Sequence, residues 1–242
     1  MRRLLALTLT IAMAVAAMGQ NHFELGNQAY DSADYAAAAE QYELHLANHP
    51  SAAAYYNLGN AHYRQGNLGQ AIVNYERAHR LAPLDRETAE NLAFCYAKTE
   101  DHIEPLPQLF ALRWWRGITG LMTPHGWMWF SLLLLALACG GLCIFLLSRS
   151  YPWRKGSLIA TSALGLLLLL SAMHTFAPRP CEAIVTAPMA VVKSSPDPQS
   201  TDLFILHEGT KVTVDDEVQP WKKIHIADGQ KGWIQLEAIE II

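Results

Sequence analysis

Residues 52–83 read AAAYYNLGNAHYRQGNLGQAIVNYERAHRLAP, and the reading of this stretch decides the fold. Laid against the preceding residues at an offset of 33, it places Gly59 on Gly26, Ala71 on Ala38, Tyr75 on Tyr42 and Pro83 on Pro50. Self-similarity at such a period marks a repeat built from paired helices. Gly and Ala let two antiparallel helices approach closely, aromatic rings fill the space between successive pairs, and the proline ends the second helix of each pair.

With Tyr55, Leu58-Gly59, Ala71, Tyr75, Ala78 and Pro83, the second unit resembles the tetratricopeptide repeat family closely. The first unit carries Leu25-Gly26, Tyr35, Ala38, Tyr42 and Pro50, but has His22 at the first aromatic position and His45 at the late alanine position. The resemblance implies an α-solenoid block over 20–100, with units at about 22–50 and 52–83 and a cap helix at about 86–98 carrying Leu92-Ala93 and Tyr96. Two units and a cap fall short of the three repeats such arrays need, so the block is expected to lean on the membrane, a neighbouring protein or the C-terminal β domain.

Phe23, Asn27 and Tyr30 in the first unit, and Tyr56, Asn60 and Tyr63 in the second, share the i, i+4, i+7 spacing that sets each trio on one helix face. In the family these positions line the inner wall, which Asn57, Arg64, Asn91 and Lys98 would border. Amides pair with an extended peptide backbone, and Arg64 and Lys98 suit a carboxylate, so this face is the candidate protein-binding groove, against the alternative of a solvated face with stray aromatics.

The rest of the chain is of another character. Hydrophobic residues make up 51% and charged ones 17%, less charge than soluble domains carry, which points to membrane segments. A net charge of −4 offers no basic field for nucleic acid. Residues 1–19 read as a signal peptide: Arg2-Arg3, an apolar run from Leu4 to Met18, and a cut after Gly19 or Ala17, with an uncleaved anchor as the alternative. Residues 101–125 form a linker in which Pro105 and Pro107 precede Trp114-Trp115-Arg116, a composition suited to the bilayer interface. Apolar segments at 126–148 and 157–177 are each long enough to span a bilayer, and the intervening 149–156 carries Arg149, Arg154 and Lys155. The basic loop is expected in the cytoplasm and both flanking domains in the periplasm of a bacterial inner-membrane protein.

From 178 to 242 short alternating runs such as Lys211-Val212-Thr213-Val214 and Lys223-Ile224-His225-Ile226 indicate strands, and Ala227-Asp228-Gly229-Gln230 a tight turn. This region resembles the bacterial SH3 family through Val192-Lys193-Ser194-Ser195-Pro196, Leu206-His207-Glu208-Gly209-Thr210, Trp221 and Gly232-Trp233-Ile234, which implies a small β-barrel. Gln235 and Ala238 stand where proline-reading members carry ligand-binding groups, so polyproline is not the expected ligand. Trp221, His225 and Trp233 remain a candidate surface for a peptide or for peptidoglycan, against a role in the core.

No catalytic or metal-binding motif appears: there is no His-Glu-x-x-His, Cys-x-x-Cys, Gly-x-Ser-x-Gly or phosphate-binding loop, so neither enzymatic activity nor a cofactor is expected. Cys95, Cys139, Cys143 and Cys181 read as small packing residues, with a Cys95–Cys181 disulfide as the alternative. The order of parts as a whole resembles the tetratricopeptide member of the Bacteroides aerotolerance (Bat) operon proteins. That resemblance implies a scaffold working with von Willebrand A domain proteins and a MoxR-type ATPase in aerotolerance or envelope stress. The competing expectation is a sensor that grips cell wall or peptide through the SH3-like domain.

Overall fold

Five helices open the computed structural model, which describes residues 22–107, 109–148, 150–176 and 180–242; the expected signal peptide, Arg149 and Pro178 lie outside them. Helix α1 covers 22–31, followed by α2 (Tyr35–Leu46), α3 (Ala52–Gln65), α4 (Leu68–Leu81) and α5 (Arg86–Tyr96). Local chemistry sets their starts. Asp34, Ser51 and Asp85 each accept the backbone N–H three residues on, which satisfies a donor the first turn leaves open. Gly66 ends α3 at φ +86°, a left-handed conformation that glycine adopts without cost.

The repeat glycines are needed where the partner helix presses closest. A Cβ at Gly26 would stand 2.6 Å from the Tyr42 ring, and one at Gly59 would stand 2.8 Å from the Tyr75 ring. Tyr42 and Tyr75 are both buried, and each also meets an aromatic of the preceding helix, Phe23 at 5.9 Å and Tyr56 at 5.8 Å between ring centroids. The two histidines that depart from the repeat pattern are absorbed into this packing. His22 Nδ1 meets Gln41 Oε1 at 2.8 Å, and the His45 ring lies 5.3 Å from Phe23.

The C-terminal region forms β1 (Cys181–Val185), β2 (Met189–Lys193), β3 (Asp202–His207), β4 (Lys211–Val218), β5 (Trp221–His225), β6 (Lys231–Gln235) and β7 (Ile239–Ile241). They make one antiparallel sheet in the order β3-β2-β6-β5-β4-β1-β7. The sheet is open, with β3 and β7 at its edges, and not the closed barrel expected from the SH3 resemblance. It curls nonetheless, because Ala183, Val192, Leu206, Val212, Ile224, Ile234 and Ile239 from all seven strands meet in one core. The expected tight turn after β5 is present: Gly229 takes φ +91° and Asp228 Oδ1 accepts the Gln230 N–H at 2.9 Å.

The helical repeats lean on this sheet, and among the described residues the two together form one compact unit made of 22–107 and 180–242. β1 explains how. Its alternation sends Ala183 and Val185 into the sheet core, whereas Ile184, on the opposite face, joins Ala71, Ile72, Val73, Tyr75, Leu92 and Cys95. Cys95 is therefore a free, buried core residue, its thiol pushed up to about 11 by burial, and Cys181 is free and exposed at the start of β1. Charged pairs ring the contact: Arg77 with Glu240 at 2.8 Å, Arg80 with Glu182 at 2.8 Å and Lys211 with Glu76 at 3.0 Å. The start of the expected linker belongs here as well. Asp101 accepts from the His207 N–H at 2.7 Å and the Thr210 hydroxyl at 2.6 Å, while the Leu106 N–H reaches the Ala227 carbonyl at 3.1 Å.

A second unit lies within the described residues 109–148 and 150–176. It holds α6 (Phe110–Thr119), α7 (Pro124–Leu147) and α8 (Tyr151–Phe176). The last two are long and apolar enough to cross a membrane, at His125–Leu147 and Tyr151–Thr175. The expected loop 149–156 is shorter than its sequence suggests, since α8 starts at Tyr151 and takes Pro152 through Gly156 into its first turns, where proline costs no hydrogen bond. The Ser131 and Ser171 hydroxyls join α7 to α8 at 2.6 Å, and the Trp127 indole N–H donates to the Thr119 carbonyl at 2.9 Å.

Candidate protein-binding groove

Helices α1, α3 and α5 carry the candidate residues apart from Lys98, which follows α5 in a turn, and the structure links these helices by a ladder of amides. Asn27 Oδ1 accepts from the Tyr42 hydroxyl at 2.8 Å and from Asn57 Nδ2 at 3.1 Å. One repeat on, Asn60 Oδ1 accepts from the Tyr75 hydroxyl at 2.6 Å and from Asn91 Nδ2 at 3.4 Å. Asn91 Nδ2 also meets the Tyr56 hydroxyl at 3.0 Å. Each rung is thus an asparagine of one helix, a tyrosine of its partner helix and an asparagine of the next unit.

The orientation of these amides follows from the tyrosines. Burial pushes the Tyr42 phenol up to about 12, against the smaller opposite effect of the Asn57 amide, and burial likewise raises Tyr75. Both phenols therefore stay protonated and donate. Their hydroxyls claim the oxygens of Asn27 and Asn60, whose amide N–H groups keep their capacity to donate. Asn57 and Asn91 spend their nitrogens on the ladder and keep oxygens that can accept. A wall with alternating donors and acceptors matches an extended peptide, which presents an N–H and a C=O at every residue.

Glu24, Asn27, Tyr30, Asp31, Tyr42, Asn57 and Asn60 line a cavity of about 400 Å³ beside this ladder. Four of the ten expected groove residues, Asn27, Tyr30, Asn57 and Asn60, are brought together there. Phe23 faces an adjoining hollow with His45 and Ser51, and Tyr56 is taken up by packing on Tyr75. Arg64 and Lys98 are engaged by aromatic neighbours. Arg64 donates to the Tyr35 hydroxyl at 2.6 Å with its guanidinium 5.0 Å from that ring, and Lys98 reaches the Tyr63 hydroxyl at 2.5 Å and lies 4.6 Å from the Phe94 ring centre. Sequence reasoning missed Glu24 and Asp31. The signal was there, since they lie three residues before and four after Asn27 on the same helix face.

Residues 52–84 match the family model for the tetratricopeptide repeat. The chain carries a tetratricopeptide repeat. The matched span holds α3, α4, Asn57, Asn60 and the Gly59–Tyr75 contact, and repeats of this kind generally mediate protein–protein interaction. No curated protein matches the chain.

The candidate surface on the sheet is not assembled as expected. Trp221 is 4% exposed and forms part of a cavity of about 460 Å³ with Met189, Val191, Pro198 and Gln235. His225 and Trp233 do not line it: His225 Nδ1 is held by Asp215 at 2.8 Å, and the Trp233 ring lies 6.0 Å from Lys223 Nζ. Among the described residues no three His, Cys, Asp or Glu side chains come together as metal ligands.

Proposed function

We propose that the chain is a non-catalytic, membrane-anchored scaffold that holds other proteins in the tetratricopeptide groove on the exported side of a bacterial inner membrane. The observation that carries this reading is the amide ladder, whose asparagines are locked by buried tyrosines so that unspent donors and acceptors remain along one wall. Such pre-set polar groups lower the ordering cost of binding an extended partner.

The anchoring part of the proposal rests on connectivity. One compact unit draws on chain both before and after the apolar helices α7 and α8. Its two halves share a core, so they lie on one side of any bilayer, and the hairpin between them crosses an even number of times. With a signal peptide ahead of it, the unit is periplasmic and the basic turn near Arg154 and Lys155 cytoplasmic. Trp114 on α6 is 69% exposed and suits the membrane interface. The order of parts resembles BatE of the Bacteroides aerotolerance system, and on that resemblance the partners are Bat-family von Willebrand A domain proteins. The role would then be aerotolerance or envelope stress tolerance.

The test is co-purification from native membranes with an Asn60→Asp, Arg64→Ala variant. Asp keeps an oxygen for the Tyr75 hydroxyl but replaces the outward N–H donors. Loss of associated membrane proteins at unchanged thermal stability is expected; an unchanged set of partners overturns the proposal. A second reading, a peptide- or peptidoglycan-binding role for the SH3-like sheet, is favoured by the cavity over Trp221. Retention of the whole chain on purified peptidoglycan, lost on Pro198→Glu at the cavity rim, would favour it.

A further inference from the structure

We infer that the cavity between α1 and α3 receives a positively charged group of the bound chain, a lysine or arginine side chain or an N-terminal ammonium. This rests on the groove reading above and adds the sign of the ligand's charge. None of the seven lining residues is basic, and two, Glu24 and Asp31, are carboxylates. Among the described residues neither carboxylate forms a hydrogen bond or an ion pair.

Arg64 is the cation whose field reaches Tyr30 on this wall, and it is held by the Tyr35 hydroxyl and ring face. The carboxylates flank Asn27, whose oxygen is saturated by Tyr42 and Asn57. Asn57 Oδ1 and the Tyr30 hydroxyl are left as neutral acceptors on the same cavity. An ammonium needs just such a set: two negative charges that offset its loss of water, and neutral oxygens for its remaining protons. A carboxylate placed there would meet two like charges. The cavity is therefore selective for cations. Arg64 and Lys98, which suggested an acidic ligand from sequence, are not among the lining residues and are bound to tyrosines.

The experiment uses the full chain in detergent and a synthetic Ala/Ser/Thr decapeptide bearing two lysines, beside a twin bearing two glutamates, read by fluorescence anisotropy. The lysine peptide is expected to bind about tenfold or more tighter than its twin, and Glu24→Gln with Asp31→Asn should abolish that difference. Both carboxylates are exposed, so these variants keep the fold. Asn57→Leu, which fills the polar wall with an apolar side chain, should weaken the lysine peptide. Equal binding of both peptides, with both weakened by Asn57→Leu, overturns the charge inference and leaves the groove reading intact. Binding that ignores Asn57→Leu, or no binding of either peptide, overturns both.

Discussion

The Glu208 carboxylate accepts the Gly69 backbone N–H at 2.7 Å, so a turn of the sheet caps the helix that closes the second repeat. Asn67, at the usual capping position of α4, makes no such bond. The carboxylate also sits favourably at the positive end of the helix dipole. Glu208→Ala should therefore cost about 1 kcal/mol, the usual loss for a deleted cap. Thermal unfolding of the detergent-solubilised chain reads the loss, and faster hydrogen exchange at Gly69 locates it.

The clasp between the linker and the β3–β4 turn should depend on pH. The hydrogen bond that the His207 ring makes to Asp101 raises the His207 pKa, and the Asp101 carboxyl, although burial opposes it, is held below its usual range by the bonds it accepts from His207 and Thr210. The His207 contribution is complete below its unfolded value near 6.5 and is lost as pH rises through the raised folded value. The Asp101 contribution is present above its unfolded value and is lost as pH falls through the depressed one. Protection of the Leu106 amide against exchange, corrected for intrinsic rate, should peak between these limits, and His207→Ala should remove the decline on the alkaline side.

Gly26→Ala and Gly59→Ala should each destabilise the repeats by about 1–3 kcal/mol, because the new methyl overlaps a ring that the surrounding core holds in place. Urea unfolding followed by tyrosine fluorescence measures this. Gly66→Ala is a useful contrast: nothing crowds the added methyl, and only the left-handed backbone is penalised.

Ala33 takes φ +62° in the turn between α1 and α2, one repeat length before Gly66. The first unit thus makes the same left-handed turn as the second with a residue unsuited to it. Ala33→Gly should raise stability by about 0.5–1 kcal/mol, the relief of left-handed strain exceeding the entropy that glycine adds to the unfolded chain. A higher Tm with unchanged circular dichroism is the expected result.

Much of this was legible in the sequence because the signals were periodic. Gly26, Gly59, Tyr42 and Tyr75 repeat at a fixed interval, and the apolar helices and alternating strands announce themselves by composition. What stayed hidden was non-local. Ile184 looks like any strand residue, and only the fold shows that it belongs to the helical core. Arg64 and Lys98 read as free cations, since the tyrosines that hold them lie 29 and 35 residues away. The openness of the sheet was hidden for the same reason: strand pairing, not strand content, decides closure.

Glu208 follows Gly69 by 139 residues, and both apolar helices are made in between. During synthesis the second repeat therefore emerges long before the turn that caps it and the strand that covers it. Non-local contacts of this kind form late, and a chain awaiting them exposes apolar surface. The second repeat is capped and covered only in chains whose apolar helices and last strands have already been made. Capping of the second repeat thereby reports that both apolar helices have been made.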